Sequence, residues 1–339
     1  MSKILNNLFS VHINRFPALF YGLLIAGTGF GIYLLGVLIG FFHIFMDPNN
    51  QWRKIVELIV WYSGVPVVAG FILIFGDLLF LLPKKRSCEF VPWNPPTNAD
   101  LTAVLTAYND EASIGSAVAD FRSHPKVKRV IVIDNNSHDD TAEVARQAGA
   151  LVVRENRQGY GHCVWRALFE GSRYDDTELT LLCEGDMTFR SYDIEKFLSY
   201  IPHVDIVNGT RIVEQLRAYR TQLTTFMYYG NFLAGKFLEA KHFGRGTFTD
   251  VGTTYKLCRN SALKRLLPLL NPSINLEFNA YFLDTALTYG FTIVECPVTF
   301  HNRVGISKGG NVSNRRALKV GLRMMRGMIL GWEKSTCKR

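Results

Sequence analysis

Cysteine is scarce in this chain and never paired. Six cysteines in 339 residues stand singly at 88, 163, 183, 258, 296 and 337. Without a CxxC or a zinc-type spacing, neither a metal knot nor a disulfide framework is indicated. The phosphate-cradling fingerprints G-x-G-x-x-G and GK[ST] are missing, which excludes the usual dinucleotide and P-loop sites. Internal repeats and low-complexity tracts are also absent. Acidic residues are in deficit, 29 against 38 Lys and Arg, for a formal net charge of +9. No nucleic-acid-binding motif accompanies that charge, so it is assigned to anionic lipid headgroups and phosphorylated substrates.

Apolar residues are abundant, at 48%, and they concentrate in two blocks, 18–45 and 55–82. Each exceeds the ~20 residues that cross a bilayer, and the first is too long for the ~7–15-residue core of a signal peptide. With only Glu57 and Asp77 as charges in the second block, residues 1–86 are expected to form a membrane hairpin. Lys3 and Arg15 precede it, Arg53 and Lys54 sit in its turn, and Pro83-Lys84-Lys85-Arg86 follows. The positive-inside rule then places both ends, and everything after residue 86, in the cytoplasm. Small residues in "GLLIAGTGFGIYLLG" permit close helix packing, and with it a homo-oligomer through the hairpin.

A Pro-rich linker, 87–100, leads into a different pattern. Short apolar runs at 101–106, 129–134, 150–153 and 179–183 alternate with helical stretches near 113–123, 141–149 and 161–171. That alternation predicts an α/β domain built on a mostly parallel sheet. Ligands of such sheets collect beyond the carboxyl ends of the strands. The informative residues are therefore those leaving each run: "AYNDE" (107–111), "DNNSHDDT" (134–141), "RENRQGYGH" (154–162) and "EGDMTF" (184–189). Glu184 and Asp186, one residue apart after an apolar run, need a partner, since burying carboxylates costs several kcal/mol when they are unpaired.

These segments carry a resemblance. "TAYNDE", "VIDNNSHDDT" (similar to VVDDGSxDGT), "RQGYGHCVWRAL" (KxGLGxAxxxGL), "EGDMTF" (DADLQ), "IVNGTR" (VxGSR), "TDVGTTYKLCR" (DxTSGFRxYR) and "CPVTFHNRVGISK" (VPITFxxRxxGxSK) follow one another in the order of the family 2 glycosyltransferases. The stretch from Leu101 to about Lys308, within an expected domain of 101–312, most resembles their dolichyl-phosphate mannose synthase and polyprenyl-phosphate glycosyltransferase branch. It departs from the pattern at Asn135, Glu184, Thr188 and Gly252-Thr253-Thr254.

The resemblance implies a GT-A nucleotide-sugar-binding domain and an inverting, metal-dependent transfer from a UDP- or GDP-sugar to a polyprenyl phosphate. The alternative is a hydroxyl of a lipid-linked saccharide or glycolipid. A processive polysaccharide synthase is disfavoured, because its QxxRW signature is not found and two spans are too few for a channel. A non-catalytic, degenerate scaffold is the competing class. Implied roles are Asp186 and Glu184 for Mg²⁺ or Mn²⁺ and the diphosphate, with Tyr108, Glu111, Asp134, Arg154, Gly159 and Gly161 on the nucleotide. Asp186, Asp250 and Arg211 are the catalytic candidates, and Arg303, Ser307 and Lys308 the acceptor-phosphate candidates. A lipid phosphate arrives ionised and calls for cations, whereas a hydroxyl calls for a base.

Independently of any resemblance, residues 313–339 place Arg316, Lys319, Arg323 and Arg326 on one helical face and Leu318, Leu322, Met325 and Ile329 on the other. Such a basic amphipathic helix suits a membrane surface.

Overall fold

The computed structural model describes residues 16–46, 52–85, 91–219, 221–305 and 313–333. Ser307 and Lys308 lie outside the described residues. The chain divides into two compact units, Met1–Glu89 with Glu239–Arg245, and Phe90–Leu238 with Gly246–Arg339.

In the first unit, α1 (Ala18–Met46) packs antiparallel to a rod of α2 (Arg53–Tyr62), α3 (Gly64–Gly76), a π-helical turn Asp77–Leu81 and a last turn Leu82–Lys85. Both arms are long and apolar enough to cross a membrane, over Ala18–Phe42 and Arg53–Lys85. Only 17% and 11% of their most apolar windows are buried, the reverse of what core helices of a water-soluble protein show. The arms approach where side chains are smallest: a Cβ on Gly70 would lie 2.5 Å from the carbonyl of Gly22. Asp77 joins their ends, its buried carboxylate accepting the Leu19 amide at 2.7 Å and pairing with Lys85 at 2.7 Å.

The second unit is an α/β domain. Its elements are β1 (Leu101–Ala107), α4 (Glu111–Ser123), β2 (Val127–Asp134), α5 (Thr141–Gln147), β3 (Leu151–Arg154), α6 (Tyr160–Gly171), β4 (Leu179–Glu184), α7 (Ile194–Tyr200), β5 (Ile206–Thr210), α8 (Thr225–Lys241), β6 (Lys256–Arg259), α9 (Asn260–Leu266), α10 (Phe278–Thr288), β7 (Ile293–Pro297) and α11 (Asn314–Leu330). The seven-stranded sheet has the order β3-β2-β1-β4-β6-β5-β7, with β6 antiparallel to both neighbours and every other pairing parallel. The mostly parallel α/β sheet expected from the alternation is what forms.

Apolar side chains alternate across the sheet and feed two cores. Leu101, Ala103 and Leu105 pack with Ile114 and Phe121 of α4, while Val104 and Leu182 pack with Val164 and Leu168 of α6. Because β6 runs backwards, its amino end reaches the rim at which β1, β2, β4 and β5 deliver their carboxyl ends. The segment 249–255 therefore meets the strand-exit loops, although it is distant from them in sequence.

α11 does not bury its apolar face as a whole, although Met325 packs partly against the core. Val320, Met324 and Met328, on a third face, join the core, while Leu318 and Leu322 stay exposed. On α8, Met227 and Ala234 face inward, and Phe226, Tyr229 and Leu233 are exposed.

Candidate active site

The three loops after β1, β2 and β4 each hold a non-glycine residue in the left-handed region: Asn109 (φ 50°), Asn136 (φ 60°) and Met187 (φ 66°). Asparagine tolerates that conformation, whereas for methionine it is a strained state that the surroundings must impose. After β1, Asp110 is buried, its Oδ2 accepting the Tyr108 amide at 3.0 Å. After β2, Asp134 is also buried and accepts the Ser137 amide at 3.1 Å. Asn135 braces the next loop, donating to the carbonyls of Glu155 and Arg157 and accepting the Gly159 amide at 2.9 Å. Glu111 lies at the exposed start of α4 and accepts the Asp140 amide at 3.1 Å. Arg154 donates to Asn136 at 2.7 Å.

The two loop glycines have different reasons to be glycine. Gly159 adopts φ 141°, which side chains rarely reach. Gly161 is a close approach, since a Cβ there would lie 1.7 Å from the carbonyl of Ile274.

Asp186 is fully buried after β4. Its Oδ1 accepts the Thr188 amide at 3.0 Å and the Thr188 hydroxyl at 2.6 Å. Its Oδ2 touches the Arg303 guanidinium at 2.9 Å, at an angle that makes no hydrogen bond. The other prong of Arg303 donates to Asp110 at 3.0 Å. Burial, reinforced by the charge of Glu184, pushes Asp186 up to about 7, against the pull of Arg303 and the Thr188 hydrogen bonds.

Asp186 Oδ2 is therefore a buried carboxylate oxygen without a hydrogen bond, two residues from a second carboxylate. That donor set fits a hard divalent cation, which takes one or two protein carboxylates and completes its shell with phosphate and water. Thr188 is committed to Asp186 and supplies no third ligand. Among the described residues no cluster of three or more His, Cys, Asp or Glu could enclose a metal by protein atoms alone.

Deeper in the rim, Arg211 grips Asp250 with two prongs, Nε to Oδ2 at 2.7 Å and Nη2 to Oδ1 at 2.8 Å, and both residues are buried. Burial alone would raise the Asp250 pKa, but the charge and hydrogen bonds of Arg211 outweigh it and hold the carboxyl below its usual range. Glu295 of β7 braces the same segment through the Thr249 and Asp250 amides, at 2.7 and 2.9 Å. Burial nevertheless raises it to about 7.

Lys256 is fully buried beneath this pair, its ammonium donating to the Thr253 carbonyl, and burial lowers it to about 7. Unfolded, the amine keeps its proton up to about 10.5. The cost of burying it is thus full below pH 7 and fades as pH rises toward 10.5. Lys256→Met is expected to raise the thermal midpoint of the detergent-solubilised protein by several degrees at pH 6.5, and by much less at pH 10. An equal gain at both would show that Lys256 does not carry this cost.

A cavity of about 590 Å³ joins these parts. At its polar end stand Tyr108, Asp110, Asn135, Gly159 and Glu184, with Arg211 and Arg303 also on its wall. Its other end runs between α8 and α11 and is mostly apolar, lined by Phe226, Leu233, Val320, Leu322 and Met325 among others, with Asn231 and Arg316 also on the wall. The Thr224 hydroxyl and Asn314, at the starts of those helices, hydrogen-bond at 3.0 Å. Of the residues singled out in the sequence, Tyr108, Gly159, Glu184, Arg211 and Arg303 line the cavity, while Glu111, Asp134, Arg154, Gly161, Asp186 and Asp250 do not. Asp110, Tyr160, Thr254, Lys256, Asn279 and Glu295 were missed. Asp110 and Tyr160 lie within the quoted "AYNDE" and "RENRQGYGH", where their places at strand exits are the signal, and Thr254 and Lys256 lie within "TDVGTTYKLCR", Thr254 as a departure from the family pattern; Asn279 and Glu295 carry no pattern of their own.

Comparison with known proteins gives four findings. The family described as Glycosyl transferase family 2 matches residues 102–267. The dolichyl-phosphate hexose transferase of Haloferax volcanii is 28% identical over 231 residues, 65% of this chain and 93% of that protein. Protein RfbJ of Shigella flexneri is 29% identical over 114 residues, 33% of this chain and 85% of that protein. Among solved structures, the glucosyl-3-phosphoglycerate synthase of Mycobacterium tuberculosis, in complex with Mn²⁺, UDP and glucosyl-3-phosphoglycerate, superposes with a TM-score of 0.48 at 17% identity, covering 69% of this chain and 81% of that one.

Proposed function

We propose, from the premise that this chain carries a family 2 glycosyltransferase domain over residues 102–267, that it moves one sugar from a UDP- or GDP-sugar to a polyprenyl phosphate with inversion at the anomeric carbon. The observation that carries this reading is the two-ended cavity: its polar end suits a nucleotide diphosphate, its mostly apolar end suits an isoprenoid chain, and three arginines, Arg211, Arg303 and Arg316, stand on its wall. A divalent cation, Mg²⁺ or Mn²⁺, held by Asp186 with Glu184, would stabilise charge on the departing diphosphate. Tyr108, Asn135 and Gly159 border the nucleotide. Arg303, with Ser307 and Lys308 of the same segment, receives the acceptor phosphate, Arg suiting paired contacts and Lys a point charge.

The phosphate acceptor is favoured over a hydroxyl by the state of Asp250. A base must be able to take a proton, and Arg211 holds this carboxylate ionised, buried and doubly hydrogen-bonded. The Haloferax relative, by name a dolichyl-phosphate hexose transferase, points the same way. The apolar arms of the first unit are taken as a membrane hairpin with the catalytic domain on the cytoplasmic side, and the exposed Leu318 and Leu322 of α11 as a surface for the bilayer.

The test incubates membranes containing the protein with a panel of UDP- and GDP-sugars, Mg²⁺ or Mn²⁺, and a polyprenyl phosphate. A sugar joined to the lipid through phosphate, formed only when metal is supplied, is the expected product. Transfer to a lipid-linked saccharide hydroxyl, with none to the phosphate, would replace this reading with the alternative.

A further inference from the structure

Two departures from the family pattern meet in space. Glu184 stands where the pattern DADLQ has its first Asp, and Thr254 where DxTSGFRxYR has Gly. They are 70 residues apart, yet the Thr254 hydroxyl donates to Glu184 Oε1 at 2.7 Å. Neither change alone makes this bond, because glycine has no hydroxyl and aspartate has a shorter arm.

The bond is the end of a longer chain. Since Thr254 spends its proton on Glu184, it accepts the one from the Tyr160 hydroxyl. Tyr160 in turn accepts from the Asn279 amide at 2.7 Å. Asn279 is fixed by a second bond to the Gly252 carbonyl at 3.0 Å, and the Tyr160 amide is fixed by Asn275 at 2.7 Å. All four members line the cavity, although they come from β4, α6, α10 and the segment before β6. Such a directed row of hydroxyl, amide and carboxylate groups inside a cavity with an apolar far end is a poor packing element. The Thr254 hydroxyl donates to Glu184 and accepts from Tyr160 and, at 3.4 Å, from Asn279, so it is fully engaged and fixes the Glu184 carboxylate, which accepts hydrogen bonds from hydroxyl groups.

We propose that Glu184, Thr254, Tyr160 and Asn279 form the wall that selects the donor's sugar, with the Glu184 carboxylate accepting from its ring hydroxyls and Thr254 as the positioning residue that fixes that carboxylate. The assignment rests on the nucleotide-sugar reading above. A wall built to hydrogen-bond hydroxyls discriminates strongly against a sugar lacking one, because its own polar groups are then left unpaired.

Binding of UDP, GDP and their hexose derivatives to the full-length protein in detergent, with Mn²⁺ present, separates the two ideas. Thr254→Val keeps the shape and removes the hydroxyl. It is expected to weaken binding of the nucleotide sugar about 10-fold or more, while the affinity for the matching nucleotide diphosphate changes less than about 2-fold. Thr254→Ser should restore the loss, and Asn279→Leu should reproduce it. Equal losses for diphosphate and nucleotide sugar, or no loss for either, would overturn the assignment alone. If the unmutated protein binds neither nucleotide, the nucleotide-sugar reading falls and the assignment with it.

Discussion

Asp186→Asn is expected to lower sugar transfer by about 10³-fold, mainly in kcat, with little change in stability. Asparagine keeps the Oδ1 that accepts both bonds from Thr188, so the strained Met187 turn stays anchored. Arg303 loses its 2.9 Å ion pair with Asp186 but keeps its bond to Asp110, and the buried carboxylate, pushed up to about 7, gives up a charge that burial already disfavours. What disappears is the charge on the buried Oδ2, the atom without a hydrogen bond in the fold. If that oxygen holds a divalent cation, its removal forfeits several kcal/mol of transition-state stabilisation, and each ~1.4 kcal/mol is a factor of ten in rate. Chelation of divalent cations should reproduce the loss in the unmutated protein and add nothing to the variant. Glu184→Gln should cost far less in turnover and more in donor binding, because one of its oxygens is engaged by Thr254. Full activity of Asp186→Asn in the presence of chelator would remove the metal from the mechanism.

The strand-exit residues were legible because each strand is a short apolar run with a polar end, and the alternation with helices fixes which ends share a rim. Three facts were not legible. Asp134 and Asn135 are adjacent, yet only Asn135 faces the cavity, since the Asp134 carboxylate turns back to the Ser137 amide. Local sequence cannot tell which of two neighbours a turn presents. The reversal of β6 brings Asp250 to Arg211 and Thr254 to Glu184, pairings 39 and 70 residues apart, and no periodicity encodes such distances. On α11, a two-faced reading of the charges overlooked the row Val320, Met324, Met328 that the core takes up. A helix that packs one row on its domain while keeping a charged and an apolar row exposed has three faces, and a two-faced pattern does not separate them.

Asp250→Asn is expected to destabilise the domain by about 3–5 kcal/mol, which is what breaking a buried pair from one side costs. The Asp250 carboxylate is fully buried: Arg211 gives it two guanidinium bonds and a backbone bond at 3.1 Å, and the Gly252 amide adds another at 3.0 Å. An asparagine in that place leaves a buried guanidinium without its counter-charge. At ~2–4 °C per kcal/mol for a domain of this size, the thermal midpoint should fall by roughly 10 °C. The double variant Arg211→Met with Asp250→Leu removes both charges and should recover most of the loss, since apolar replacements of buried pairs are often neutral or better. The same variants decide what Asp250 does for the reaction. A general base would lose its activity in Asp250→Asn at temperatures where the protein is fully folded, and the acid limb of its rate profile would vanish with it. A carboxylate that positions Arg211 would instead leave that profile's shape unchanged, and Asp250→Glu, which keeps the charge, would regain more activity than Asp250→Asn. The second pattern is expected, because a carboxylate held ionised by two guanidinium bonds has no affinity to spare for a proton.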